Sequence, residues 1–241
     1  MKKLNFIIKC GLALLLLSFY SCESWLNVTP SDRLSEEMLF NDREGFVKAL
    51  NGVYIELNTN ELYGRNLTAG ALDVMGQYYS VASSSHAFYN YGGLVYTGND
   101  EKALFDNMWQ KCYAVIACCN TIIEKCDENK AGLSPVWRGS IKGEALALRA
   151  MLHFDMLRLF GPLTSELDKE SIPYQTNSDQ TVTPLLSGSE VVGLILDDLK
   201  NAVGLLKDTD PYFVEEEFSD TDLNYRRFRM NYFAAKGLMA R

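Results

Sequence analysis

Histidine is scarce: His86 and His153 are the 2 histidines among 241 residues. His86 follows the run Ser83-Ser84-Ser85, and His153 falls inside an apolar helical pattern. His153 on a buried helix is more often a satisfied core residue, and His86 sits in a polar loop with no positioned partner, so a metal cage or a Ser-His relay has no support. HExxH, GxSxG, P-loop and CxxC motifs are absent as well. A glycosidase needs only two carboxylates at a set separation, and 31 Asp and Glu leave that route formally open, but no motif points to it. The reading is therefore a non-enzyme with no catalytic residue, no metal and no cofactor. Basic runs are missing too. Lys and Arg number 23, the net charge is −8, and no block of five occurs. Nucleic acid, which binds through clustered cations, is excluded as a partner. No apolar stretch reaches the ~18 residues of a membrane-spanning helix, and no segment alternates convincingly as a strand.

Hydrophobic residues are plentiful at 47%, with 13 Tyr and 12 Phe, enough to bury a core. The chain opens on a targeting pattern. Lys2, Lys3 and Lys9 precede an apolar stretch, Gly11 to Phe19, and then comes Phe19-Tyr20-Ser21-Cys22. A small residue directly before Cys is the shape of a lipobox. Residues 1–21 are read as a lipoprotein signal peptide and Cys22 as the lipidation site. Acyl chains there hold a protein at a membrane at ~0.8 kcal/mol per buried CH2. Residues 22–34, with Pro30, are a tether, and residues 35–241 form the globular part.

That part reads as helical. Ser35-Glu36-Glu37 opens a short helix, and Phe46, Val47, Leu50, Val53, Tyr54 and Leu57 mark the face of one over residues 42–57. Residues 58–100 are irregular, punctuated by glycine and rich in aromatics, with a short helix near Leu72 to Tyr79. A long helix is expected from about Glu101 to Cys126. Its Cys112, Cys119 and Cys126 recur every seven residues, ~10 Å apart along the axis, too far to bridge. They serve as small core residues. Ser134-Pro135 starts the next helix, which ends at Phe160 before Gly161-Pro162. An extended connection spans residues 161–186, and Ser187-Gly188-Ser189-Glu190 is a capping box opening a helix to Leu206. Residues 208–224 read as a polar loop, and a last helix is expected to start near Arg229. Nothing in Lys236 to Arg241 closes a helix, so the fold is expected to be incomplete at the carboxyl end. Ala150-x3-Phe154 with Pro162 matches the second half of a tetratricopeptide repeat. The fold class is all-α: a TPR-like α-α stack with long irregular loops.

The helix Gly143 to Pro162 is apolar nearly all round yet carries Glu144, Arg149, Asp155 and Arg158. Charges in such a setting need partners, and Asp155 and Arg158 stand three apart on one face. The four are read as structural ion pairs. In the loop, Tyr78, Tyr79, Phe88, Tyr89 and Tyr91 lie beside Asp73, Gln77 and Asn90. Flat rings with polar company suit sugar faces and hydroxyls, and these five are the candidate ligand contacts. Packing of the loop against the helices is the competing reading.

The segment Gly143-Glu144-Ala145 … Leu148-Arg149-Ala150 … Phe154-Asp155-Met156-Leu157-Arg158-Leu159-Phe160-Gly161 resembles the GEA-x-x-LRA-x-x-x-FDL-x-R-x-FG pattern of SusD/RagB-like proteins, with Met156 where Leu is usual. Other blocks agree in order: Cys22 with Trp25-Leu26, Ser35 to Phe40, Ala49-Leu50-Asn51-Gly52-Val53-Tyr54, Ile172-Pro173-Tyr174, Asp197 to Ala202 and Ala234 to Arg241. The resemblance implies a lipid-anchored protein of the outer membrane at the cell surface. It would bind oligosaccharide, or in some members peptide, and pass it to a SusC-like TonB-dependent transporter. In the family the TPR helices face the transporter, and here they fall near residues 101–160 and 190–241. Two other readings stand beside it: a docking scaffold for the transporter without its own ligand site, and an inactive truncated remnant.

Overall fold

A computed structural model describes residues 36–179 and 181–241. The expected signal peptide, lipidation site Cys22 and tether, with Ser35, lie outside the described residues. The chain divides into two units, residues 1–38 and 39–241. From the first come the opening residues of a single-turn helix, α1 (Glu36–Leu39), with Glu36 and Glu37 in that turn.

The second unit is helical. Helix α2 (Arg43–Leu57) starts where the Asp42 side chain accepts the Gly45 amide at 2.8 Å. Its buried stripe, Phe46, Leu50, Val53 and Leu57, follows the helical repeat. Two short helices, α3 (Ala71–Met75) and α4 (Tyr89–Gly92), interrupt the loop that follows. Helix α5 (Asn99–Glu128) buries Met108, Cys112, Val115, Ile116, Cys119, Ile122, Ile123 and Cys126. The three spaced cysteines are free thiols in the core, and burial pushes the Cys126 thiol up to about 12. Asn129, in the left-handed region at φ 46°, ends the helix.

Helix α6 (Pro135–Phe160) begins on a Ser134 cap with proline in its first turn and stops at Gly161. It is buried on most sides, because α5 packs on one flank and α7 (Gly188–Thr209) on the other. Gly143 makes the second contact close: a Cβ there would stand 2.8 Å from Leu206 Cγ. The Ser187–Glu190 capping box opens α7 as its sequence demands.

Two segments depart from the sequence reading. The connection before α7 contains a small antiparallel ladder, β1 (Glu170–Pro173) against β2 (Leu185–Ser187), with Glu170 opposite Ser187 and Pro173 opposite Leu185. Strands this short cannot display an alternation, and Pro173 argues against one locally. Ile172 and the neighbouring Tyr174 are buried, which holds the ladder on the core. Residues 208–224 are not wholly loop: α8 (Asp220–Tyr225) forms on a second capping box, Ser219 with Asp222. Helix α9 (Tyr232–Ala240) then starts on Asn231, whose side chain accepts the Ala234 amide at 2.9 Å, rather than at Arg229. No helix among the described residues is long and apolar enough to cross a membrane.

Candidate ligand-binding site

The aromatic loop has a core of its own. Ala71 and Val74 of α3 and Tyr91 of α4 are buried together, with Met75, Val81, Phe88, Tyr96 and the α5 residues Leu104 and Phe105 packed round them. Tyr91 meets Phe88 and Phe105 edge to face, at centroid distances of 5.8 and 6.0 Å. Its ring is 2% exposed. Tyr91 is thus corrected from a ligand contact to a core residue: the loop needs one large side chain to bury, and the α4 turn aims this one inward. Burial, with Glu101 and Asp100 nearby, pushes its hydroxyl up to about 12.

The remaining candidates lie further out. Tyr78 is 79% exposed, Tyr79 47% and Tyr89 43%, while Phe88 is half-buried between Tyr91 and the Arg65 guanidinium, 5.7 Å from its ring centre. The Tyr79 hydroxyl donates to Asp73 Oδ2 at 2.9 Å, and this bond, with some desolvation, raises its pKa. Gln77 Nε2 donates to the Gly92 carbonyl at 2.9 Å, tying the Tyr78-Tyr79 segment to the end of α4. Asn90 Nδ2 donates to Glu101 Oε1 at 2.8 Å, tying the same turn to α5. Two backbone conformations there are costly: Gln77 has φ 63° and Leu94 φ 54°. Non-glycine residues visit this region at ~1–2 kcal/mol each, and such strain gathers where side chains must be aimed. Gly76 belongs to the same device, because a Cβ there would press within 3.1 Å of the Tyr78 ring. The loop therefore presents three tyrosines to solvent from a pinned backbone.

Glu144, Arg149 and Asp155 of α6 find partners on other elements. Arg149 grips Asp198 of α7 through Nε and Nη2, both at 2.7 Å, and donates from Nη1 to Asn120 Oδ1 at 2.8 Å. Tyr174 adds its hydroxyl to Asp198 at 2.6 Å. His153 lies beneath, stacked on Tyr174 at 3.9 Å. Its Nδ1 pairs with the Arg149 carbonyl and its Nε2 accepts the Gln175 amide, each at 3.0 Å. With the Nε2 lone pair spent, the ring is the neutral Nδ1–H tautomer. Burial, with Arg149 adding to it, holds its pKa down to about 3.

Glu144 is the second centre. It accepts from Tyr54, from Arg226 and, at 2.7 Å, from Arg229 Nε. Arg226 also binds Asp210 in two-pronged fashion, at 3.0 and 2.6 Å. Burial alone would raise the Glu144 carboxyl; the two guanidiniums override it and hold it below the usual carboxylate range. Asp155 takes the Tyr63 hydroxyl at 2.7 Å and pairs with Arg158 at 3.2 Å nearer the surface. Sequence reasoning missed Asp198, Asp210, Arg226 and Arg229, since two-pronged pairing across the chain leaves no local spacing. The excess of charge on an apolar helix was the only signal that such partners exist.

The chain matches the SusD-like family model described as "Starch-binding associating with outer membrane" over residues 24–220. Two curated SusD-like proteins of Formosa agariphila are similar to it. One is 27% identical over 199 residues, 76% of this chain and 34% of the relative. The other is 26% identical over 166 residues, 67% of this chain and 30% of the relative. The chain thus spans about a third of the length of the curated relatives it matches. A solved SusD-like carbohydrate binding protein of Bacteroides vulgatus superposes with TM-score 0.64 at 23% identity, covering 83% of this chain and 40% of the other. A SusD-like protein of Bacteroides fragilis gives TM-score 0.61 at 18% identity, covering 88% and 36%.

Proposed function

This chain belongs to the SusD-like family, and from that premise we propose that it binds oligosaccharide on the Tyr78–Tyr79–Tyr89 face and delivers it to a SusC-like TonB-dependent transporter. It would be held at the outer membrane by acyl chains on Cys22. The observation that carries the binding reading is the trio of exposed tyrosines on a loop that has its own buried core and spends strain at Gln77 and Leu94. Large exposed rings cost apolar hydration unless something covers them, and a sugar face does so while its hydroxyls bond the polar rim. The name of the Bacteroides vulgatus protein points the same way. The reading is one of binding, in which the α6 carboxylates serve the scaffold: Glu144 is held by Tyr54, Arg226 and Arg229, and Asp155 by Tyr63 and Arg158.

Affinity electrophoresis of the full chain in detergent tests this, with gels loaded in turn with starch, xylan, mannan and pectin. Retardation by at least one polymer is expected. Each of Tyr78→Ala and Tyr89→Ala should weaken it roughly two- to ten-fold, since an aromatic face contributes ~0.5–1.5 kcal/mol. Unchanged retardation in the double variant would sink the reading.

A second reading has an observation of its own. Tyr212 and Phe213, in the turn after α7, pack ring to ring with Tyr232 and Phe233 at the start of α9, and Tyr212, Phe213 and Phe233 are exposed. Such a patch suits docking to a protein surface, which is what a scaffold for the transporter would use.

A further inference from the structure

A cavity of about 200 Å³ lies between α2, α6 and the segment from Pro211 to Arg229, on residues the tyrosine face does not use. That volume exceeds the ~150 Å³ that holds one benzene ring and falls short of the ~300 Å³ at which drug-sized sites begin. Its apolar wall comes from Leu50 of α2, Trp137 and Ile141 of α6, and Phe218, whose ring centre lies 4.5 Å from that of Trp137. Ser140 lines the cavity from α6. The residue is 5% exposed, and its hydroxyl has no hydrogen-bond partner among the described residues. A buried hydroxyl without a partner costs free energy that a ligand atom would recover.

Two charged side chains on the same lining are only partly spent. Arg229 donates from Nε to Glu144 and from Nη1 to Asn51, both at 2.7 Å, and its Nη2 has no acceptor among the described residues. Asp222 of α8 accepts the Ser219 amide and hydroxyl on Oδ2, at 3.1 and 2.7 Å, and its Oδ1 has no donor among the described residues. Glu144 and Arg226 line the cavity too, but both are committed to the ion-pair network. The cavity thus offers an unspent cationic donor, an unspent anionic acceptor, a hydroxyl and an apolar wall. We propose that it is a second binding site, for a free apolar α-amino acid of leucine or phenylalanine size. The carboxylate meets Arg229 and Ser140, the ammonium meets Asp222, and the side chain lies against Leu50, Ile141 and Trp137. An acid without the ammonium leaves Asp222 unpaired, and an amine without the carboxylate leaves Arg229 unpaired. Each mismatch costs more where solvent is excluded.

The test is calorimetric titration of the full chain in detergent at about 0.15 M salt. The probes are L-phenylalanine and L-leucine. The controls are hydrocinnamate, which lacks the ammonium, and phenethylamine, which lacks the carboxylate. At least one amino acid is expected to bind roughly ten-fold or more tightly than either control, because each control loses one charge-assisted contact. Ser140→Val should weaken amino-acid binding about three-fold or more. Asp222→Asn keeps an acceptor for Ser219 and should weaken the amino acid to a similar extent, with hydrocinnamate bound no less well. Tyr78→Ala/Tyr89→Ala should leave amino-acid binding unchanged. A control that binds as tightly as the amino acids overturns the proposal, and so does the absence of amino-acid binding. Amino-acid binding that is indifferent to both Ser140→Val and Asp222→Asn, or lost in the tyrosine variant, lies elsewhere and overturns it equally.

Discussion

Arg149 shows what one side chain does for this scaffold. Its guanidinium is buried, bonded to Asp198, and close under Tyr174 and His153. Removing one member of such a set strands a charge, which costs about 3–5 kcal/mol. Arg149→Met should lower the stability of the chain by that amount in urea unfolding, and Arg149→Met/Asp198→Leu should restore part of it. His153 gives a pH signature. Its folded pKa, about 3, lies below the ordinary ~6.5 of a free histidine. As pH falls below ~6.5 the unfolded chain takes up the proton first, so stability declines by up to ~1.4 kcal/mol per pH unit, levelling near pH 3 where the folded protein protonates too. Glu144, held below the usual carboxylate range, adds to the loss only once pH drops below ~4.3. Between pH 4.5 and 6.5 the slope should therefore flatten in His153→Gln; a slope identical to the parent's would remove His153 from the account. That α6 needs partners was legible from Glu144, Arg149, Asp155 and Arg158 on its apolar stretch. Which partners it finds was not, because Asp198, Arg226 and Arg229 meet it only after the chain folds back. In the loop the sequence grouped Tyr91 with Tyr89, yet positions two apart on a helix point to opposite sides, and only the Phe88–Tyr91–Phe105 packing shows which of the two is buried.

At the scale of elements, the long helices were legible because caps and periodicity agree. Ser134-Pro135, Gly161-Pro162 and the Ser187–Glu190 box sit where α6 and α7 begin or end. The β1–β2 ladder and α8 were not, since elements of three to six residues carry too few positions to reveal a period. Two element-level outcomes follow from the packing. Gly143→Ala forces a methyl against Leu206, so the α6–α7 contact should loosen at a cost of about 1–3 kcal/mol, read as a lowered urea midpoint. Leu94→Gly removes the left-handed strain at φ 54°. Thermal unfolding should then show a chain no less stable than its parent, while glycan retardation weakens because the α4 turn is freer to move. Glycan retardation as strong as the parent's would mean that the strained turn does not position Tyr89.

Across the whole molecule, the sequence reading of a helical stack agrees with the solved SusD-like neighbours, and the family follows from the match over residues 24–220. The ordered blocks from Ala49 to Ala202 made that resemblance readable, because they are residues that build α2, α6, β1 and the middle of α7. The surface that would meet a ligand is another matter: Tyr78 and Tyr89 are constrained by the pinned loop beneath them rather than by any spacing a sequence displays. The central claim is that these exposed rings are where sugar binds, and crystals of the chain soaked with a neutral oligosaccharide that it retards test it most directly. The account predicts a pyranose ring at van der Waals distance from Tyr78 or Tyr89, with a hydroxyl on Asp73 or Asn90. Sugar bound elsewhere with these rings bare would contradict it.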